Sequence, residues 1–347
     1  MEWLKRIELA YFKGVFFLSV CVLGASCTQD VSIETNSLLL GKPDHFPVVT
    51  HPEGNEFTQT RWELGKALFF DKALSIDSSV SCASCHDPAH AFSGNNKTET
   101  GVFGRGGTRN APTLANVGYH ASFTREGGIA TLEQQVLVPI QEHNEFGFNI
   151  IPLTERLDSN PVYHQMSMEA YGRPVDAYTL VRAIACYERT LVSGWSAYDD
   201  YSFNGDENAF GRIEKAGLEL FKSNRLACSS CHSGLFFTND SFANNGLYSN
   251  YSDDGRKRLT GRTEDDGVFK IPSLRNVELT GPYMHDGSLE TLEDVIEHYD
   301  KGGNNHANKS NLIKPLHLTV GEQQSLIAFL KTLTDWRFIE HHKSTEN

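Results

Sequence analysis

The sequence predicts a mainly α-helical protein built as two domains. Three observations carry that prediction. No stretch sustains the period-two alternation of a half-buried strand, whereas apolar residues recur at helical spacing behind capping residues. Two Cys-x-x-Cys-His pentads, Cys82-Ala83-Ser84-Cys85-His86 and Cys228-Ser229-Ser230-Cys231-His232, stand one in each half. A similar short amphipathic segment precedes each pentad, at Arg61 to Phe69 and at Ile213 to Phe221, with Gly and Phe at matching places.

The elements follow in chain order. Lys5, Arg6 and Lys13 precede an apolar run from Val15 to Ala25 that is too short to cross a bilayer, which is the pattern of an export signal over 1–26. Leu23-Gly24-Ala25-Ser26-Cys27 resembles a bacterial lipobox. It would make Cys27 the lipidated first residue of a protein anchored to a bacterial membrane on its periplasmic side. A plain cleaved signal and an uncleaved anchor are the alternatives. Residues 27–58 are polar, with Pro and Gly, and read as a tether. The N-terminal domain spans 59–204. In it, Thr131 with Gln134 signals a helix start, and Asp176 caps a helix with Leu180, Ile184 and Leu191 on one face. Cys186 lies inside that helix, where buried packing is its expected role. Ser202 to Glu207 is the polar boundary, and the C-terminal domain spans 205–347. There, Thr319-Val320-Gly321-Glu322 fits a capping box before Leu326, Phe329, Leu330 and Leu333. At 347 residues, 39% hydrophobic with 21 Phe, the chain can bury a core in each domain.

Each pentad is the pattern of covalent c-type haem attachment. Cys82, Cys85, Cys228 and Cys231 would bond the porphyrin vinyl groups, and His86 and His232 would ligate the two irons. A four-cysteine zinc site or two redox dithiols are the rival readings. Zinc ligand pairs sit within a compact knuckle, and neither rival explains the His after each pair. Of seven cysteines, Cys21 and Cys27 fall in the signal, which leaves Cys186 without a disulfide partner. Export agrees with the pentads, because c-type haem is attached outside the cytoplasm. A formal net charge of −13 argues against nucleic acid as a partner. It suits a basic protein partner by long-range steering, or plain solubility.

Further segments sharpen the reading: Arg109-Asn110-Ala111-Pro112-Thr113-Leu114, Thr131-Leu132-Glu133-Gln134-Gln135, Pro139, Ile271 to Val277, and Pro282-Tyr283-Met284-His285-Asp286-Gly287. Together with the pentads they resemble the bacterial di-haem cytochrome c peroxidases and their MauG-type relatives, from about Arg61 to Leu333. The resemblance implies two cytochrome c-like helical domains, each enclosing one covalently bound haem. The first haem would reduce hydrogen peroxide to water, and the second would relay electrons from a small c-type cytochrome or similar donor. Two electrons are needed per peroxide and such a donor gives one at a time, hence two haems. A MauG-type oxidase that modifies residues of a partner protein is the alternative enzyme, and a non-catalytic electron carrier is a third reading. A homodimer is among the assemblies left open.

The resemblance also assigns residues. Glu145 falls at the catalytic acid–base position, with Glu142 as runner-up, and Gln135 at the distal glutamine. The loop Gly101 to Gly107 lacks the histidine that blocks the first iron in many relatives, which implies an enzyme active without prior reduction. His90 becomes a polar neighbour of the haem edge. Tyr299 falls at the second ligand of the relay iron, with Met284 and His298 as competitors. Peroxidases place Met there and MauG-type proteins Tyr, and a phenolate lowers the potential. Arg125 stands where the family has a Trp between the haems. Charge would then pass by direct tunnelling or through Phe123 or Tyr119. A calcium ion is implied at Asn110 with the carbonyls of Thr280 and Pro282, oxygen donors that suit a hard cation.

Overall fold

The computed structural model describes residues 39–344, so the segment read as an export signal and Cys27 lie outside the described residues. Six helices come first: α1 Gln59–Phe70, α2 Cys82–Cys85, α3 Leu132–Gln141, α4 Ile150–Asp158, α5 Pro161–Tyr171 and α6 Ala177–Glu188. Six more follow: α7 Ala197–Ser202, α8 Arg212–Lys222, α9 Lys257–Thr260, α10 Leu292–Asp300, α11 Val320–Lys331 and α12 Trp336–Ser344. The only named strands among the described residues are β1 Phe242–Ala243 and β2 Phe269–Lys270, antiparallel with Phe242 opposite Lys270. The chain is mainly α-helical, as predicted. No described helix is long and apolar enough to cross a membrane.

Local sequence explains the helix starts. The Asp176 side chain accepts from Thr179 N, and Thr179 reaches back, closing a capping box on α6. Thr319 and Glu322 do the same for α11. At α3 only the Thr131 half forms, accepting from Gln134 N. Leu191 and Leu333 lie past the ends of α6 and α11, so they bury without extending the helical stripes.

Two hydrophobic clusters form. One gathers Leu64, Leu68 and Phe69 with Phe92, Ile140 and Ile184, and Cys82 packs against it. The other gathers Leu218 and Phe221 with Phe237, Leu326 and Phe329, and Cys228 packs against it. Each fully buried Leu or Phe contributes about 1.5–3 kcal/mol. The matching glycines before the pentads have one job. A Cβ on Gly65 would lie 1.9 Å from the Ala183 carbonyl oxygen, and one on Gly217 would lie 1.9 Å from that of Ser325. Hence α1 meets α6, and α8 meets α11, at backbone contact.

The helix α12 returns to the first cluster, where Phe338 is buried 5.8 Å from the Phe92 ring. The stretch read as a tether is docked from Leu39 onward. Phe46 is buried against Tyr119 and Phe236, and buried Asn55 donates to Glu133 Oε1 and the Arg182 carbonyl. Its apolar anchors are single residues, which composition averages away.

A longer duplication joins the halves. Residues 112–133 match 272–293: Pro112 with Pro272, Asn116 with Asn276, Phe123 with Tyr283, Arg125 with His285, Thr131 with Thr291. Asn116 and Asn276 share a left-handed backbone, and both segments close a small bridge, Phe123 to Ile129 and Tyr283 to Leu289. The copies interlock reciprocally. Asn110 N donates to the His285 carbonyl at 2.9 Å, and Lys270 N donates to the Arg125 carbonyl at 2.7 Å.

Candidate haem sites

In the first pentad, Ser81 and Ser84 cap α2, and His86 follows at its end. His86 Nδ1 lies 3.0 Å from the Phe92 carbonyl. A carbonyl only accepts, so Nδ1 carries the proton and Nε2 keeps its lone pair for a metal. Burial lowers the His86 pKa, outweighing the Phe92 and Pro112 carbonyls, so the ring is held neutral. His232 repeats this geometry, with Nδ1 at 3.1 Å from the Phe237 carbonyl and 3.2 Å from that of Pro272. All four pentad thiols are free. Burial keeps them protonated, pushing Cys85 up to about 12 and Cys228 up to about 11. Paired thiols beside an apolar cluster, each with a neutral imidazole, fit a c-type haem. They do not fit one zinc site, because the pairs pack on separate clusters and no three His, Cys, Asp or Glu converge among the described residues.

Glu145 stands in the turn after α3, which folds back so that Phe146 N donates to the Pro139 carbonyl. Its own carbonyl accepts from Val102 N at 2.9 Å, which ties it to the loop without histidine. Glu145 is exposed to solvent at its surface, though protein atoms crowd its carboxyl. Lost hydration first, and the Glu142 carboxylate second, push its carboxyl up to about 7. Its charge bears on both Cys82 and Cys85, so the fold brings it to the first pentad. Gln135 lies on α3 with Oε1 buried and no protein donor. Pro139, lacking an N–H, withholds the helical hydrogen bond from the Gln135 carbonyl as well. Phe103 of the loop is exposed, with Arg105 stacked over its ring. His90 Nδ1 is 2.9 Å from Asp87 Oδ2.

The second pentad opens on a cavity of about 280 Å³. Cys228, Cys231, His232, Met284 and Tyr299 line it; His298 does not. His298 Nε2 instead lies 3.1 Å from the Asn245 carbonyl. Asn245 Nδ2 donates to Met284 Sδ at 3.2 Å. Burial raises the Tyr299 pKa, against an opposing hydrogen bond with Asn245, and the Cys228 and Cys231 thiols add to the rise. A phenolate at this position therefore needs a positive centre beside it.

Asn110, Thr280, Pro282 and Arg125 line the same cavity. Arg125 Nη2 donates to both the carbonyl and the Oδ1 of Asn110, at 2.8 and 2.9 Å. The Asn110 oxygen expected for calcium is thus engaged by a guanidinium, and a positive group in that place does not fit a cation site. Burial first, then the Arg109 charge, bring Arg125 down to about 10, so it remains protonated at neutral pH.

Two residues escape sequence reasoning. Asn245 touches all three candidate ligands of the second iron, and only contact reveals it. Glu188, at the end of α6, is buried and raised to about 8 by lost hydration, and its charge bears on Cys82. The duplication of 112–133 was open to a self-comparison of the sequence.

The family model described as di-haem cytochrome c peroxidase matches residues 59–208. The methylamine utilization protein MauG of Methylorubrum extorquens is 36% identical over 324 residues, covering 92% of this chain and 91% of that protein. Cytochrome c551 peroxidase of Nitrosomonas europaea is 35% identical over 280 residues, covering 78% of this chain and 79% of that protein. A solved MauG-like protein associated with microbial copper homeostasis superposes with a TM-score of 0.81 at 32% identity, covering 86% of this chain and 95% of that one. Two histidines poised with a free Nε2 beside paired thiols, and relatives spanning most of the chain, place this protein in the di-haem cytochrome c peroxidase family, MauG-type members included, whose two haems are of c type.

Proposed function

We propose that this protein reduces hydrogen peroxide to water at the first site, using electrons that enter through the second. The observation that carries the reading is Glu145, held near 7 beside the first pentad and tied to a loop with no blocking histidine. Bound at the pentads, the haems supply an iron that accepts peroxide and a store of one-electron equivalents. The remaining steps belong to side chains. His86 and His232 would hold the irons through Nε2. Glu145 takes a proton from one peroxide oxygen and delivers it to the other, so that water leaves rather than hydroxide. With two electrons and two protons, one peroxide becomes two waters. Gln135 Oε1, buried without a donor, accepts a hydrogen bond from substrate or an ordered water. Tyr299, which lines the same cavity as His232, would be a second protein ligand for that haem.

The donor is a small c-type cytochrome or similar protein, drawn to an acidic surface. The domains divide near 204 and 205. The protein works on the periplasmic side of a bacterial membrane, held by lipid on Cys27. A calcium ion forms no part of this reading.

The test starts from the fully oxidised protein. Reduced c-type cytochrome should be consumed on peroxide addition without prior reduction of the enzyme. Glu145→Gln should slow that turnover by about 10²–10⁴-fold. Unchanged turnover in the variant would remove Glu145 from the reaction. The second reading, oxidation of a partner protein, is favoured by Tyr299 in the cavity and by the likeness to MauG. Peroxide consumption with no cytochrome donor active would select it.

A further inference from the structure

We infer that the Arg125 guanidinium is this protein's built-in cation between the two pentads, standing where a calcium ion is expected, so that the halves lock together without calcium.

The hub is Asn110, 4% exposed, and every polar group on it is satisfied within the protein. Its N donates to the His285 carbonyl, and its Nδ2 donates to the Asn96 carbonyl at 3.2 Å. Its carbonyl and Oδ1 both accept from Arg125 Nη2. The amide cannot be turned over: Nδ2 would then face a guanidinium, donor to donor, and Oδ1 would face the Asn96 carbonyl. A divalent ion would lose Asn110, the one side-chain ligand of the expected set, and keep only the Thr280 and Pro282 carbonyls beside a positive guanidinium.

Charge balance points the same way. Asp286 favours the charge on Arg125, while Arg109 opposes it. Arg109 is itself matched by Asp253, at 2.6 and 2.9 Å, and by Glu126. A calcium ion here would meet two guanidinium groups. Arg125 also sits in the duplicated turn whose carbonyl accepts from Lys270 N, while the equivalent residue His285 accepts from Asn110 N. The side chain thereby fixes Asn110 to the Arg125 turn within the first half, and the backbone bonds of these two residues to His285 and Lys270 tie that pair to the second half. The inference holds whether a cytochrome donor or a partner protein is what the enzyme oxidises.

The test uses the full-length protein carrying both haems. After dialysis against metal-free buffer, elemental analysis should find the iron of both haems but less than about 0.1 calcium per chain, and ~1 mM calcium chloride should leave the electron paramagnetic resonance spectrum unchanged. One calcium per chain surviving dialysis, or a spectrum that shifts on chelation with EGTA, overturns the inference. In calcium-free buffer, Arg125→Ala should lower the Tm by roughly 5 °C, with part of the loss recovered by added calcium chloride. An unchanged Tm in that variant also overturns it. If the variant does not fold, the calcium content of the unmodified protein decides.

Discussion

Glu145 has a proton affinity that a surface carboxylate does not. Its pKa is raised, so below about 7 it is protonated and cannot act as a base, and above that it is ionised. Peroxide turnover should therefore rise with pH through a midpoint near 7, and Glu145→Gln should flatten that rise; initial rates across neutral pH decide it. Tyr299 is the residue to test at the second site. Tyr299→Phe should change the resonance signal of one haem and leave the other alone. Identical spectra would pass the role to Met284, whose sulfur lines the same cavity. Both residues stand in the sequence, but nothing adjacent to them shows what their side chains meet. Glu145 draws its pKa from lost hydration and Glu142, and Tyr299 gains its cavity from a pentad far up the chain.

Several helices were legible in the sequence, but their pairings were not. Thr131, Asp176 and Thr319 cap where their spacing predicts, because capping is a local hydrogen bond. The repeated glycine before each pentad was visible too, though its reason was not: it is contact with a helix distant in sequence. Gly217→Ala would press a methyl against the Ser325 carbonyl. The variant should lose about 1–3 kcal/mol, a Tm fall of roughly 3–8 °C by circular dichroism. A Tm within a degree of the parent would mean that α8 and α11 can part without cost. α4, α5 and α12 carried no sequence signal strong enough to assign, and α12 is placed by Phe338 reaching back to Phe92.

Across the whole molecule, buried polar pairs hold the halves in register. Arg275 makes a two-pronged pair with Asp199, both bonds at 2.9 Å and both side chains essentially without exposure. Burial would raise the Asp199 carboxyl, but Arg275 and Ser196 outweigh it, and the group stays ionised. Arg275→Ala leaves that buried carboxylate to His45 and Ser196 alone and should cost about 3–5 kcal/mol in urea unfolding. Asp335 works beside it, accepting from Ser193, Gly194 and Trp195. The sequence by itself determined two pentads of the c-type haem pattern and a helical chain with an internal repeat, since each is written in residues a few positions apart. Only the tertiary structure decided that Arg125 grips Asn110, that His298 turns from the cavity while Tyr299 and Met284 face it, and that Glu145 ionises near neutrality. Those outcomes depend on dehydration and on oxygen atoms contributed from distant parts of the chain, and no local pattern encodes either.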